Sequence, residues 1–101
     1  MFRDRDHNYF VYITTNPGKT VLYTGVTNDL NIRMQQHKAN KGNAKSFAGK
    51  NYCYKLIYFE RYTDINIAIE REKEIKLMKR DYKLAMIKEL NPMLNTYDVY
   101  E

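Results

Sequence analysis

Five side chains of the types that bind phosphate, move protons or hold a hard metal ion occur in series along the chain. They are Tyr12, Tyr23, Arg33, His37 and Glu72. Phosphodiester hydrolysis needs an activated water, stabilisation of the charge that grows on phosphorus, and stabilisation of the negative charge on the departing oxygen. A divalent ion serves the first and third needs, and Mg²⁺ requires only one or two protein carboxylates besides water and substrate phosphate. The set is therefore typical of a one-metal site for phosphodiester cleavage.

Each of these side chains suits one part of that chemistry. The planar, permanently charged fork of Arg33 matches phosphate oxygens, and His37 is suited to phosphate binding or proton transfer. Tyrosine hydroxyls orient water or relay protons, although an ordinary pKa of about 10 makes them weak bases. Each residue alone also has a structural interpretation: a cross-strand tyrosine pair, a boundary histidine, or a Glu72 that bridges to Arg33 or a lysine. The conjunction of all five favours the functional interpretation.

The first four residues are positioned by a predicted hairpin and helix. Residues 9–14 and 20–26 are rich in aromatic and β-branched residues and predict two strands. Between them, Asn16-Pro17-Gly18-Lys19 has turn composition, with Gly18 as the residue that accepts a positive φ. A hairpin centred on Pro17-Gly18 pairs Tyr12 directly with Tyr23. After the N-cap candidates 27–29, a helix is predicted to about Lys41. Its inward face carries the following residues: Leu30, Arg33, Met34 and His37.

Glu72 is expected on a later helix that packs against the sheet. A polar loop is predicted over 42–53 and a third strand over 54–60, and a helix begins at Ile65. Its inward stripe is Ile65, Ala68, Ile69, Glu72 and Ile75, while Glu70 and Glu74 project to the far side. A carboxylate on an apolar face is costly unless it is paired or bound to a metal. A further helical segment, 82–90, is expected to cover Ile67, Leu77 and Met78, and Asn91-Pro92 ends it.

Charge is distributed unevenly along the 101 residues, whose net charge is +5. Between Asp29 and Glu60 there is no acidic residue. The basic residues of that stretch are Arg33, Lys38, Lys41, Lys45, Lys50 and Lys55. We interpret Lys38, Lys41, Lys45 and Lys50 as phosphate contacts for a nucleic acid, in preference to a flexible loop that serves solubility.

Length and composition predict one domain, 1–101, near the common size for a single core. One cysteine, Cys53, excludes an internal disulfide. No apolar run is long enough to span a bilayer, and the start MFRDRDHNYF lacks the apolar region of a secretory leader. We expect a soluble, cytoplasmic protein with no membrane partner.

The ordered series resembles the GIY-YIG endonuclease domain over roughly residues 8–96. It comprises Phe10-Val11-Tyr12, then Tyr23-Thr24-Gly25, then Arg33, His37 and a helical Glu72. The variant is similar to the small stand-alone bacterial members, which are related to the nuclease module of the nucleotide-excision-repair subunit. Phe10 and Thr24 depart from the residues in the family name, and Val26 stands where some members carry a lysine.

The resemblance implies an α+β fold: a three-stranded antiparallel sheet flanked by about three helices. It also implies that Tyr12, Tyr23, Arg33 and His37 surround the scissile phosphate and that Glu72 holds one Mg²⁺ or Mn²⁺ ion. Glu72 rather than Glu70 matches because it stands four residues after Ala68. Asn95 and Gly25 are candidates for supporting the site.

We therefore predict a metal-dependent endonuclease that cuts DNA, structure-specific or connected with DNA repair. Glu72 would hold the metal, Arg33 would stabilise charge, Tyr12 would activate water or relay a proton, and Tyr23 and His37 would position groups. The alternatives are a catalytically silent nucleic-acid-binding module, which would stack bases on exposed aromatics such as Phe47 or Tyr52, and a protein-interaction domain. Because 101 residues leave no room for a second DNA-binding domain, a protein partner for targeting is a further expectation.

Overall fold

The computed structural model describes residues 8–98, in which three strands and four helices form an α+β fold. In chain order they are β1 (Tyr9–Thr15), β2 (Leu22–Thr27), α1 (Leu30–Ala39), α2 (Phe47–Lys50), β3 (Lys55–Tyr62), α3 (Ile65–Leu77) and α4 (Arg80–Leu90). The strands form an antiparallel sheet in the order β2-β1-β3. The predicted fold class is confirmed. The first seven residues, where no leader is expected, and residues 99–101 lie outside the described part of the chain.

The two faces of the sheet bury different side chains because residues alternate along each strand. On one face, Val11 and Ile13 of β1 pack with Ala68 and Ile75 of α3 and with Ile87 of α4. On the other face, the buried cluster consists of Tyr12, Leu30 and Leu56, with Met34 and Tyr97 packed against it. The second face therefore holds α1, and the predicted inward stripe of that helix is the one that packs.

The hairpin register differs from the prediction by two residues. Tyr12 pairs with Gly25, and Tyr23 pairs with Thr14. Asn16 causes the shift, because its Oδ1 accepts the backbone N–H groups of Thr20 at 2.8 Å and Val21 at 2.9 Å. The loop therefore extends to Val21, β2 begins at Leu22, and Lys19 rather than Gly18 takes the positive φ, 59°. A shift of two keeps every side chain on its face, so Tyr12 and Tyr23 remain neighbours with ring centroids 6.3 Å apart.

The predicted polar loop 42–53 contains the short helix α2. The hydroxyl of Ser46 caps it by accepting from Gly49 N at 3.0 Å, and Cys53 N donates to Ala48 O at 2.8 Å. Gly49 is required there, since a Cβ would lie 2.7 Å from the carbonyl oxygens of Asn40 and Asn43. Local capping hydrogen bonds and close packing against the end of α1, rather than apolar periodicity, therefore build this helix.

Two expectations about α3 are wrong. Ile65 is exposed although it was placed on the inward stripe, and the stripe is buried at Ala68 and Ile75. Ile67 and Leu77 are not covered by the following helix, since Leu77 is 86% exposed. The reason is that α4 packs on β3 and the core through Ile87 and Met86 rather than lying across the outer side of α3. Met78 does pack against the core, as predicted.

Asn91 ends α4 and ties the C-terminal segment to the sheet. Its buried side chain donates to Ile57 O at 2.9 Å and to Asn95 O at 2.8 Å, and accepts from Asn95 N at 2.9 Å. Tyr97 N then donates to Leu56 O at 2.8 Å, which brings the segment to the α1 face. Among the helices within residues 8–98, none has the length and apolar character needed to cross a membrane.

Candidate functional site

Tyr12 lies at the centre of the candidate site, with a side chain that is 0% exposed. Its hydroxyl oxygen accepts from Arg33 Nε at 3.1 Å and lies 2.8 Å from His37 Nε2. Gly25, directly opposite on β2, leaves room for the ring: a Cβ there would lie 2.6 Å from Tyr12 Cζ. The structure thus joins three predicted site residues, Tyr12, Arg33 and His37, by hydrogen bonds. It also explains the glycine at position 25, because a larger residue there would clash with the Tyr12 ring.

The direction of the proton in this chain follows from the pKa values. Burial, with a smaller contribution from the Arg33 charge, lowers the pKa of His37 to about 4. Burial also raises the pKa of Tyr12 to about 12, against the lowering effect of Arg33. At neutral pH both groups are therefore uncharged. Since Arg33 Nε donates to the Tyr12 oxygen, the Tyr12 hydroxyl donates to His37 Nε2, and the histidine carries its proton on Nδ1.

Tyr23, Arg33 and His37 open onto a pocket of about 130 Å³, which we call the site pocket. Its remaining lining residues are Gln36, Asn40, Ser46, Phe47 and Ala48. The Tyr23 ring lies 5.4 Å, centroid to centroid, from His37 and 6.4 Å from Phe47. Arg33 and Gln36 also line a wider groove of about 1160 Å³ that runs beside the start of α1. Arg33 therefore stands where the site pocket and the groove meet.

Arg33 has no carboxylate within ion-pair distance among the described residues. Its Nη1 donates to the neutral Gln36 Oε1 at 3.0 Å, and its Nε donates to Tyr12. The hydrogen bond to Tyr12 raises the pKa of Arg33 above its usual range, so the guanidinium stays charged. A half-buried cation without a counter-charge is matched to an anionic ligand.

Glu72 lies on α3, and its side chain is 13% exposed. Its charge contributes to raising the pKa of Tyr12, so the carboxylate and the hydroxyl lie within electrostatic range of each other. Its partner is Lys76, whose Nζ lies 2.8 Å away, and Lys76 is half-exposed. Glu72 bridges to a lysine, one of the alternatives that the sequence left open, rather than to Arg33.

The donor set fits a metal held by one carboxylate. Within residues 8–98 there is no group of three or more His, Cys, Asp or Glu side chains able to hold a metal ion without other ligands. A single Glu suits Mg²⁺ or Mn²⁺, which take water and phosphate oxygens as their other ligands. The half-exposed Lys76 can turn into solvent when a cation takes its place beside Glu72.

The four lysines expected to contact nucleic acid are all exposed. They are Lys38, Lys41, Lys45 and Lys50. Lys41 Nζ lies 5.1 Å from the centroid of the Tyr54 ring, an arrangement that leaves the ammonium hydrated and charged. In the described part of the chain none of the four forms an ion pair with an acidic side chain, so their charge remains available to phosphates.

Asn95 is not brought into the site by any contact of its side chain. Its hydrogen bonds run through its backbone to the Asn91 side chain, and it is exposed. Asn91, which the sequence marked only as a helix end, is the buried member of the pair.

Two further residues at the site, Gln36 and Lys76, escaped the sequence-based prediction, and a third, Phe47, was predicted only as an exposed aromatic for base stacking. Gln36 stands three residues after Arg33, and Lys76 stands four after Glu72, so helical spacing provided a signal for both. Phe47 had only a weak signal, an apolar residue in a polar segment. Its place in the site pocket depends on the tertiary fold.

Comparison with known proteins agrees with the residue series. The family model of the GIY-YIG catalytic domain matches residues 8–90. A UPF0213 protein of Staphylococcus epidermidis is 40% identical over 82 residues, which are 80% of this chain and 95% of the relative. A UPF0213 protein of Staphylococcus aureus is 37% identical over 82 residues, 81% of this chain and 96% of the relative. No solved structure matches the chain significantly. These matches confirm the resemblance that the sequence predicts.

Proposed function

The chain belongs to the GIY-YIG catalytic domain family, a family of nucleases, and we propose that it is a metal-dependent endonuclease that hydrolyses phosphodiester bonds in DNA. The observation that carries this proposal is the state of Arg33. A charged guanidinium without a carboxylate partner among residues 8–98 opens onto a pocket, and Tyr12, to which it donates a hydrogen bond, lies within electrostatic range of Glu72 on α3. A binding site for phosphate and one cation has this arrangement.

Each residue takes a defined part in the proposed reaction. Arg33 binds the scissile phosphate and stabilises the charge that grows on it. Tyr23 and neutral His37, which line the site pocket, position the phosphate and the attacking water. Glu72 holds one Mg²⁺ or Mn²⁺ ion, which when bound acidifies water and offsets negative charge.

Tyr12 acts as a positioning residue in this proposal. Its side chain has no exposed surface and does not line the site pocket, so water does not reach its hydroxyl in the described conformation. Of the two roles predicted from the sequence, this proposal keeps the relay of a proton toward His37, which the hydrogen-bond chain supports. Tyr12 fixes the side chains of Arg33 and His37 through one hydroxyl.

The proposed substrate is DNA, bound by the exposed lysines of the segment 38–50 through its backbone. Structure-specific cutting or a part in DNA repair, a cytoplasmic location and a protein partner that supplies targeting belong to the same proposal. The second candidate function is nucleic-acid binding without cleavage. The ion pair between Glu72 and Lys76 favours it, because that pair neutralises the carboxylate to which the proposal assigns the metal.

Cleavage of a labelled panel of single-stranded, duplex, flapped and four-way DNA, and of RNA, separates the two functions. We expect cutting with Mg²⁺ or Mn²⁺, no cutting in EDTA, and a loss of at least 100-fold in Glu72→Ala. The matched control is Glu70→Ala, an exposed carboxylate on the same helix, which should cut like the unaltered protein. Binding of the panel without cutting under every metal condition would replace the proposal with the second candidate.

A further inference from the structure

Phe47 is an apolar side chain held in the open at the site pocket. It is 57% exposed, yet it lines the pocket beside Tyr23, Arg33 and His37. Its ring lies 6.4 Å from that of Tyr23 with an interplanar angle of 23°, and Tyr23 in turn contacts His37 edge-on. Phe47 therefore extends the aromatic wall of the pocket outward into solvent.

The backbone holds Phe47 firmly in this position. The cap of Ser46 and the hydrogen bonds from Gly42 N to Gly49 O, 2.8 Å, and from Asn51 N to Phe47 O, 3.0 Å, fix both ends of α2. Gly49 allows the helix to lie directly against the carbonyl of Asn40 at the end of α1. The ring of Phe47 is therefore held at the edge of the site pocket rather than packed into the core.

The charges around Phe47 identify the ligand. Lys45 and Lys50 are exposed within three residues of it, and Arg33 lies across the site pocket. A planar ring between cations that are suited to phosphates is the arrangement of a single-strand binding surface, where bases stack on aromatics and the backbone follows the positive charge. In an intact duplex both faces of a base are covered by its neighbours, so only an unstacked base offers a free face.

We propose that Phe47 stacks on a nucleobase next to the phosphate that Arg33 binds, so that the substrate is a DNA strand with an unstacked base at the cut. Single-stranded and flapped DNA belong to this class, and fully paired duplex does not. The inference rests on the proposed function for the role of Arg33. It names the substrate class, which the residue series leaves open.

Tyr52, the other exposed aromatic of the same segment, is not placed for this contact. It does not line the site pocket, and its ring lies over Gly42, where an added Cβ would come within 3.2 Å of the hydroxyl. Tyr82, an exposed aromatic on α4, provides a control at a distance from the pocket.

Binding in EDTA tests the inference separately from cleavage. Oligonucleotides carrying 2-aminopurine are titrated with the full chain, as a single strand and as the matching duplex. We expect quenching with the single strand, a dissociation constant raised about 10-fold in Phe47→Leu, and recovery in Phe47→Tyr, as for loss and return of one stacked base. For the duplex, Phe47→Leu should change the dissociation constant by less than about two-fold. Tyr82→Leu should bind the single strand and the duplex like the unaltered protein.

Three outcomes would each overturn the inference. They are an equal loss of affinity for single strand and duplex in Phe47→Leu, unchanged single-strand affinity in that variant, and no measurable single-strand binding. Circular dichroism melting of the variants checks that they are folded. Since EDTA removes the metal, stacking can succeed where cleavage fails. Cleavage without any effect of Phe47 on binding or on the preference for unpaired DNA would leave the nuclease intact and remove only the stacking.

Discussion

Two clusters of tyrosine, arginine and acidic side chains lie in different parts of the fold and are paired in opposite ways. The site cluster holds Tyr12, Arg33 and Glu72, together with His37. The second cluster, which we call the Arg71 cluster, joins β3 to α3 and consists of Tyr58, Glu60, Tyr62, Arg71 and Glu74.

The Arg71 cluster is closed on itself. Arg71 donates to both oxygens of Glu60 at 2.9 Å and to Glu74 at 2.8 Å, and the hydroxyls of Tyr58 and Tyr62 also donate to Glu60. Burial alone would raise the pKa of Glu60, but these donors outweigh it and lower the pKa to about 2. With its arginine paired to two carboxylates, and Glu60 also bonded by two tyrosine hydroxyls, the cluster fastens α3 to the sheet.

The site cluster has similar residues, but its arginine and its acid are not paired with each other. Arg33 donates hydrogen bonds to Tyr12 and to the side-chain amide of Gln36, and Glu72 forms an ion pair with the half-exposed Lys76. The comparison teaches that the location of the counter-charge, rather than the residue types, separates a binding site from a structural ion pair.

Substitution of Arg33, which has no carboxylate partner among residues 8–98, should give the largest effect. We expect that effect on catalytic activity. We expect Arg33→Ala to lower kcat by about 100- to 1,000-fold, equivalent to about 3–4 kcal/mol, because a charge donor to the transition state is gone. Its free energy of unfolding should fall by about 1–2 kcal/mol, since no ion pair is broken and only the hydrogen bonds to Tyr12 and Gln36 are lost. Single-turnover cleavage and urea unfolding measure the two quantities. A large loss of stability would show instead that Arg33 has a structural role like that of Arg71.

Arg71→Ala should show the reverse pattern. Glu60 would keep its charge without its main partner, and we expect the free energy of unfolding to fall by about 3 kcal/mol. Addition of Glu60→Gln should restore part of that loss, because the unpaired charge is removed. Cleavage by the folded fraction, measured at low temperature, should stay near that of the unaltered protein. A double variant no more stable than Arg71→Ala would contradict the closed-pair interpretation.

A further effect concerns pH. The pKa of His37 is lowered in the folded protein to about 4 from 6.5, so the unfolded chain binds the proton first as pH falls. Stability from this group is complete above pH 6.5 and is lost between pH 6.5 and 4, with a slope that approaches about 1.4 kcal/mol per pH unit. Urea unfolding at several pH values should show this slope, and His37→Gln should lack it. His7 is present in both proteins, so the difference between the two curves reports on His37. Parallel curves for the two would refute the assignment.

Local sequence patterns predicted the elements that carry the site. Alternation gave the strands, and helical spacing placed Arg33 and His37 on the packed face of α1. The distance from Ala68 and the apolar stripe both selected Glu72. These patterns are readable because they depend on residues a few positions apart, which share a face by backbone geometry alone.

The tertiary structure decided how deep each residue lies and which residue pairs with it. The hairpin register depended on the side chain of Asn16, which overrode the turn preference of Pro17-Gly18. The burial of Tyr12 depended on His37, 25 positions later, and the exposure of Leu77 depended on where α4 docked. The sequence by itself determined which residues can do the chemistry. Among the described residues, only the fold determined which arginine has a half-buried carboxylate beside it, because Glu60 comes to Arg71 from another element and burial depends on segments distant in the chain.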